Sequence, residues 1–243
     1  MSKKLDRVRE IQYRACVARC NYMCQDRSDV QYQVKELCRA MSSPTEADWL
    51  MLKRLARYLI GRTRVIVCFG YQEANGIIDV WTDTDYGGCQ VSRKSASAGI
   101  VMLGGHMVKS SSSTQTNVAL SSGVAEYYGF VKGASMAIGI RSMHEEMGIK
   151  LRIRVSTDAS AAKGIASRRG LGKVRHIEFH QLWVQDKVSN GEIEIRKVDG
   201  KVNLADALTK HVGAEDIRVH MHHTHQGYHT GRHELMPSIA VDK

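Results

Sequence analysis

Residues 77–83, with the sequence IIDVWTD, decide the fold of this chain, because an apolar run here ends on the carboxylate of Asp83. β-branched and aromatic residues in such a run are typical of a buried strand. Glu126 stands early in a helix-like stretch, and Asp158 and Asp206 each directly follow a later apolar-rich run. If the fold brings the four carboxylates together, protonation or a metal ion must relieve their repulsion. Oxygen ligands of this kind suit Mg²⁺ or Mn²⁺.

Two of these acids, taken singly, have a structural alternative. Asp158 is placed where it would cap a helix that begins at Ala159. Asp206 lies inside a short helical stretch, where its charge would be solvated. Acids at strand ends are often structural, so the chemical interpretation depends on all four acids acting together.

The apolar spacing after residue 77 alternates between the strand period and the helix period. It predicts strands at 77–83, 97–103, 106–109, 151–157 and 192–198, and helices at 121–147, 159–167, 177–188 and 203–210. Three consecutive strands joined by tight turns form an antiparallel meander, and strands reached through helices can add in parallel. The sequence therefore predicts an α/β fold with a mixed five-stranded sheet flanked by helices.

The chain is predicted to have three units. Residues 1–62 form a small helical segment, because their apolar residues recur at helical spacing. Residues 63–212 carry the α/β pattern and begin with a short strand at 65–69. Residues 213–243 are rich in histidine and are predicted to be a flexible tail, with adventitious binding of Zn²⁺ or Ni²⁺ as the alternative. The histidines of this tail are His220, His222, His223, His225, His229 and His233.

Charge and composition restrict the class of partner. The 243 residues carry 35 Lys and Arg against 25 Asp and Glu, a formal net charge of +10. This excess favours a polyanionic partner, and a basic protein without a specific partner is the alternative. Six cysteines show no disulfide framework, which indicates reduced thiols inside the cell. No apolar run approaches the length of a membrane span, so no membrane partner is expected.

Several motifs in order resemble one known family over about residues 77–212. They are VWTDTDYGGC at 80–89, SASAG at 95–99, QTNVALSS at 115–122, TD at 157–158 and LADALTK at 204–210. Together they resemble the ribonuclease H domain of copia-type retrotransposon Pol polyproteins. Residues 1–62 look like the stretch that joins reverse transcriptase to ribonuclease H in those polyproteins.

The resemblance implies a fold, an activity and partners. The fold would be a ribonuclease H-like sheet preceded by the helical segment. The activity would be metal-dependent hydrolysis of the RNA strand of RNA–DNA hybrids. Two Mg²⁺ ions, or Mn²⁺ in their place, would be held by Asp83, Glu126, Asp158 and Asp206. A reverse transcriptase domain of the same polyprotein would be a partner, and the place of action would be a cytoplasmic virus-like particle or the nucleus.

Six other residues are candidates for contact with nucleic acid. Lys109, Arg168, Arg169 and Lys173 are predicted to follow backbone phosphates, with a solvated basic face as the alternative. The resemblance alone places Gln115 and Ser122 near the hybrid.

Two other functions compete with the nuclease. One is a catalytically inactive module, left from a decayed transposon, that binds nucleic acid or docks a polymerase. The other is a nuclease of the same fold that acts on duplex DNA, as integrases and resolvases do. Cleavage that depends on Mg²⁺ separates the first from the nuclease, and the choice between hybrid and duplex DNA separates the second.

Overall fold

A computed structural model describes residues 2–73 and 75–232 of the chain. Within this part of the chain the helices are α1 (Arg7–Met23), α2 (Gln31–Arg39), α3 (Glu46–Gly61), α4 (Ser122–Glu146), α5 (Ser160–Ala166), α6 (Trp183–Ser189) and α7 (Ala214–His223). The strands are β1 (Arg64–Val67), β2 (Ile77–Asp85), β3 (Ala96–Leu103), β4 (His106–Thr114), β5 (Arg152–Thr157), β6 (Ile193–Lys197) and β7 (Gln226–His229). Short 3₁₀ turns occupy Ser28–Val30, Phe179–Gln181, Gly200–Val202 and Asp206–Leu208.

The main sheet has five strands in the order β4-β3-β2-β5-β6. β2, β3 and β4 form an antiparallel meander, in which Asp83 of β2 lies opposite Ala98 of β3. β5 pairs with β2 in parallel, and β6 pairs with β5 in parallel. The predicted α/β class, a mixed five-stranded sheet flanked by helices, is therefore confirmed.

Helix α4 packs closely on one face of this sheet because two glycines bring its backbone near β2. A Cβ atom at Gly129 would overlap Thr84 Oγ1, and one at Gly133 would overlap Thr82 Cγ2 and lie 3.1 Å from Val80 Cγ1. The buried side chains of α4 then fill the core beside them. The close approach fixes where the start of α4 meets the end of β2.

This close approach gives a test of the fold. Gly133→Ala is expected to lower the free energy of unfolding by about 1–2 kcal/mol, because Thr82 is stiff, buried and hydrogen-bonded to the Ser156 carbonyl and overpacking is destabilising. The matched control is Gly139→Ala on the same helix, where a Cβ atom meets nothing within 4 Å. It is expected to stabilise by up to about 1 kcal/mol. Urea unfolding of both variants measures the difference, and equal effects would contradict this packing.

The opposite face of the sheet is covered by a second layer. α1, α2 and α3 share one core, whose buried members include Tyr13, Val17, Val34, Leu37, Leu52 and Leu55. The segment around the last 3₁₀ turn packs Ala205 and Leu208 against Ile100 and Met102 of β3. Ser112 Oγ of β4 donates to the Leu208 carbonyl at 2.6 Å. The helical unit and the end of the chain therefore enclose the sheet from one side.

A two-stranded ribbon completes this layer. β1 pairs antiparallel with β7, with Arg64 opposite His229 and Val67 opposite Gln226; we call this pair the β1–β7 ribbon. The predicted strand at 65–69 thus pairs outside the main sheet. The division of the chain into units at 1–62, 63–212 and 213–243 stays a prediction.

The prediction of a flexible His-rich tail is wrong for residues 214–229, which form α7 and β7. His222, His223, His225 and His229 are exposed, but the polar side chains of His220, Thr224 and Gln226 are buried with partners. His220 Nε2 lies 2.9 Å from Ser28 Oγ, and Ser28 Oγ donates to Gln226 Oε1 at 3.1 Å. Histidine-rich composition suggested solvation, but hydrogen bonds to a distant residue satisfy these groups instead. His233 lies outside the described residues.

Two predicted helices also differ in the structure. The stretch 177–188 divides into the 3₁₀ turn Phe179–Gln181 and α6. The stretch 203–210 contains only the 3₁₀ turn Asp206–Leu208. Helical spacing over so few residues does not distinguish an α-helix from 3₁₀ turns. Among the described residues, no helix is both long and apolar enough to cross a bilayer.

Candidate active site

Three of the four predicted acids converge at one edge of the sheet. Asp83 lies near the end of β2, Asp158 directly follows β5, and Glu126 lies in the second turn of α4. One carboxylate oxygen from each lies within 4.8 Å of the other two. β2 and β5 are parallel neighbours, so their ends meet, and the approach of α4 to β2 brings Glu126 to the same place. We call these three residues the acidic triad.

Burial and mutual repulsion make the triad costly to ionise. Burial, opposed by the Thr209 hydrogen bond and reinforced by the charges of Asp206 and Asp158, raises the pKa of Asp83 to about 6. Burial, followed by the charges of Asp83 and Asp158, raises the pKa of Glu126 to about 8. A bound cation would relieve both the repulsion and the burial cost.

Asp158 does not cap the helix that follows it. α5 begins at Ser160, its N-cap residue is Ala159, and among the described residues no side chain makes a capping hydrogen bond there. A Cβ atom at Gly200 would lie 2.9 Å from Asp158 Oδ2, so the 3₁₀ turn Gly200–Val202 approaches this carboxylate closely. The capping alternative is therefore excluded, and the Asp158 carboxylate is available to the triad.

Asp206 lies beside the triad and is not part of it. Its side chain is 39% exposed, and its Oδ1 is 2.6 Å from the Lys210 ammonium. Its charge still contributes to the raised pKa of Asp83. Because residues 206–208 form a 3₁₀ turn, Asp206 and Lys210 meet across the turn. The alternative of a solvated charge therefore holds in part, since Asp206 is half exposed and paired.

Thr209 connects the fourth acid to the triad. The Thr209 hydroxyl donates to Asp83 Oδ2, and the Thr209 hydroxyl oxygen also lies 3.0 Å from the Asp206 carbonyl oxygen. Asn203 anchors the start of the segment 203–210 to β2, because its Nδ2 donates to the Thr82 carbonyl at 2.9 Å. Sequence reasoning assigned no role to Thr209 or Lys210, although both belong to the LADALTK motif. Their spacing of three and four residues after Asp206 is the signal that would have identified them.

The six candidate nucleic-acid residues lie in different surroundings. Gln115 Nε2 donates to Ser97 Oγ at 2.7 Å and to the Ala125 carbonyl at 2.8 Å, so this residue braces β3 against α4. Ser122 is exposed as the first residue of α4, next to the N-cap Ser121. Lys109 is exposed on the edge strand β4. Arg168 Nη2 donates to the Leu171 carbonyl at 2.5 Å, and Arg169 and Lys173 are exposed in the same loop.

The donor set of the triad fits a hard divalent cation. All three donors are carboxylate oxygens, the ligands that Mg²⁺ and Mn²⁺ take in proteins. Opposite ligands of an octahedral Mg²⁺ are about 4.2 Å apart, so a spread of up to 4.8 Å between these oxygens needs only small side-chain rotations. Burial and the neighbouring carboxylates raise the pKa of Glu126 and of Asp83, and such an ion would compensate both effects. The acidic triad is therefore a candidate metal centre.

Comparisons with known proteins place these features in a context. No family model matches the chain. It is 27% identical over 204 residues, 83% of its length, to a retrovirus-related Pol polyprotein from transposon TNT 1-94 of Nicotiana tabacum. It is 29% identical over 203 residues, 82% of its length, to the Pol polyprotein from transposon RE2 of Arabidopsis thaliana. The chain spans only 15% and 14% of these two polyproteins.

A solved structure is also similar. The N-terminal ribonuclease H domain of a Mycobacterium tuberculosis protein aligns with a TM-score of 0.40 and 18% identity. The alignment covers 61% of this chain and 98% of that one. The resemblance to transposon Pol polyproteins, predicted from the motifs, is confirmed by the transposon relatives.

Proposed function

We propose that this relative of plant transposon Pol polyproteins is a ribonuclease H that hydrolyses the RNA strand of RNA–DNA hybrids. The observation that carries the proposal is the convergence of Asp83, Glu126 and Asp158 within 4.8 Å at the end of two parallel strands. Asp206, which borders the triad, is proposed as the fourth acid of the site. The ordered motifs and the net charge of +10 support a polyanionic substrate.

The triad would hold divalent metal, for which we propose two Mg²⁺ ions or Mn²⁺. When bound, such ions would activate the attacking water and stabilise the charge on the leaving oxygen. Without metal, the Glu126 carboxyl keeps its proton up to about pH 8, the value to which its pKa is raised, and it releases that proton to become a ligand. Thr209 holds one oxygen of Asp83 by its hydroxyl, which orients the other oxygen towards the triad.

Lys210 and Asp206 form the border of the site towards the substrate. The Lys210 ammonium neutralises Asp206, so a substrate phosphate meets less net negative charge there. RNA would be distinguished from DNA by contacts to the 2′-hydroxyl. Ser122, exposed at the start of α4, and Lys109, Arg168, Arg169 and Lys173 stay proposed contacts, whereas Gln115 would act through the packing of α4.

The partners follow from the relatives. Because the relatives are polyproteins, we propose that a reverse transcriptase domain of the same polyprotein is a partner. Residues 1–62 would then connect the two domains. As the product of a transposon, the enzyme would act within a cytoplasmic virus-like particle or in the nucleus.

Cleavage of a hybrid labelled on its RNA strand, in Mg²⁺ and in Mn²⁺, tests the proposed function. Duplex DNA and duplex RNA serve as competing substrates. Hydrolysis of the RNA strand in the hybrid alone is expected. Salt-sensitive binding of the hybrid without any cleavage would instead favour the inactive binding module, which the excess of positive charge also supports.

Thr209→Val is expected to weaken metal binding by about 10-fold or more, because partners that orient a ligating carboxylate typically contribute 10- to 100-fold. Thr209→Ser, which keeps the hydroxyl, is the control and is expected to bind metal nearly as the unchanged protein does. The half-saturating Mn²⁺ concentration for thermal stabilisation measures the effect. Equal Mn²⁺ affinity in the valine and serine variants would remove the orienting role of Thr209.

A further inference from the structure

We propose that a groove beside the acidic site binds a backbone phosphate of the hybrid at a position away from the phosphate that is cut. The groove of about 180 Å³ lies between α2, α3 and the segment that follows Asp206. We call it the α2–α3 groove, and the residues that matter for the argument are Tyr32, Arg54, Tyr58, Lys210 and His211. This inference rests on the proposed function, since it assigns a second contact to the same substrate.

The charge inside the α2–α3 groove is positive. Asp29 also lines it, but its side chain is fully buried and paired with the Arg27 guanidinium at 2.8 Å. The hydroxyl of Tyr58 donates to the same carboxylate at 2.7 Å. The charge of Asp29 is thus compensated within the protein. The Lys210 ammonium is paired with Asp206, so Arg54 is the charge that remains to face a ligand, and a phosphate complements it.

Arg54 is the strongest candidate for the contact. It is exposed on α3, and among residues 2–73 and 75–232 its side chain has no hydrogen bond or ion pair. His211 is exposed on the facing wall of the groove and offers a ring N–H in either charge state. Arginine presents several donors in a fixed plane, which suits a phosphate.

The groove continues the acidic site. The Lys210 ammonium lines the groove and lies 2.6 Å from Asp206 Oδ1. Thr209, the residue before Lys210, donates its hydroxyl hydrogen bond to Asp83 Oδ2. A strand that leaves the acidic site past Lys210 would therefore enter the groove, and one guanidinium would meet one of its phosphates.

Phosphate contact fits the groove better than stacking of a base. The Tyr32 ring already meets the His211 ring edge to face, with centroids 4.9 Å apart. The Lys35 ammonium lies 4.4 Å from the centre of the same Tyr32 ring. Tyr32 thus already contacts two basic side chains, and the exposed Arg54 is the group of the groove that is left to recognise a ligand.

The test compares two arginines of α3 in the whole 243-residue chain. Arg54→Ala removes the proposed contact, and Arg57→Ala removes an exposed arginine of the same helix that does not line the groove. Both are made together with Asp83→Asn, and the affinity for an uncut hybrid is measured over a range of salt concentrations. Arg54→Ala is expected to weaken binding several-fold and to reduce the slope of log affinity against log salt by about 1. Arg57→Ala is expected to leave that slope unchanged.

Hybrids shortened on one side or the other of the scissile phosphate test whether the contact is local. One hybrid ends shortly after the scissile phosphate on one side, and a second ends shortly after it on the other. The effect of Arg54→Ala is expected to vanish for one of them and to persist for the other. Equal slopes for Arg54→Ala and Arg57→Ala, or an effect that is the same on both shortened hybrids, would overturn the inference.

The inference and the proposed function can fail separately. If the unchanged protein cleaves the hybrid but Arg54→Ala binds it with an unchanged slope, the groove is wrong and the nuclease stands. If the protein never cleaves but Arg54→Ala shows the local loss of binding, the groove stands as a nucleic-acid contact and the nuclease falls.

Discussion

Asp83→Asn is expected to reduce hydrolysis of the RNA strand by about 10³-fold or more, the equivalent of several kcal/mol of charge stabilisation at the metal. The amide keeps the size of the side chain and its place beside Thr209, but it lacks the negative charge that the cation needs. Initial rates on a labelled hybrid at saturating Mg²⁺ measure the loss. Asp83→Asn is expected to bind the hybrid as the unchanged protein does, because the negatively charged triad does not attract the phosphates of the hybrid.

The control for this variant is Asp79→Asn, on the same strand but outside the triad. Asp79 pairs with the Arg154 guanidinium at 3.3 Å in a partly exposed position, and such pairs contribute little to stability. The activity of Asp79→Asn is expected to match that of the unchanged protein. Full activity of Asp83→Asn would place the chemistry elsewhere and leave the acidic triad without a catalytic role.

The metal-free protein is expected to lose roughly 5 kcal/mol of stability between pH 5 and pH 8, because one pKa unit corresponds to about 1.4 kcal/mol. The pKa of Glu126 rises to about 8 from 4.5 and that of Asp83 to about 6 from 3.8. The folded state therefore binds more protons than the unfolded state across this range. The stability that protonation supports is complete below the unfolded values and is lost as the pH rises through the folded ones.

The variant Glu126→Gln isolates this effect. In EDTA at pH 8 its melting temperature is expected to exceed that of the unchanged protein by several degrees, since about 1 kcal/mol corresponds to roughly 2–4 °C at this size. At pH 5 the two are expected to melt together. Added Mg²⁺ is expected to raise the melting temperature of the unchanged protein more than that of the variant. Glu146→Gln, an exposed position at the other end of α4, is the control, and an equal gain there would refute the explanation.

The acidic triad and its supporting elements were predictable because they depend on local patterns. Strands that end on an acid and a helix that begins after Ser121 are visible in the sequence, and parallel order brings the ends of neighbouring strands together. The predicted helix 121–147 agrees with α4 to within a residue at each end. The pattern could not give the close approach of Gly129 and Gly133 to β2, which determines how near Glu126 comes to the end of that strand.

The position of Asp206 shows the limit of the same reasoning. A helix at 203–210 would place this acid by helical spacing, but the chain turns here through a 3₁₀ turn, with Asn203 held by the Thr82 carbonyl. The ion pair with Lys210 then depends on a backbone shape that no periodicity encodes. Hydrogen bonds to a residue far along the chain decided the local structure.

The prediction for the His-rich segment was wrong for a related reason. Its composition is that of a solvated tail. The pairing of β7 with β1 gives the segment its strand, and the contact with Ser28 satisfies the buried His220. These partners are separated by most of the chain, so patterns within short stretches of sequence do not reveal them.

The β1–β7 ribbon sets the order in which this molecule can fold. The core shared by α1, α2 and α3 uses residues from the first part of the chain alone, so it can form while synthesis continues. The ribbon and the contact of Ser28 with His220 join segments from opposite ends, and closure over such a distance is slow. The second layer therefore closes last, and until then Ile100 and Met102 of β3 lack their cover on that face. A chaperone that binds exposed apolar surface would meet the nascent chain at this face of the sheet.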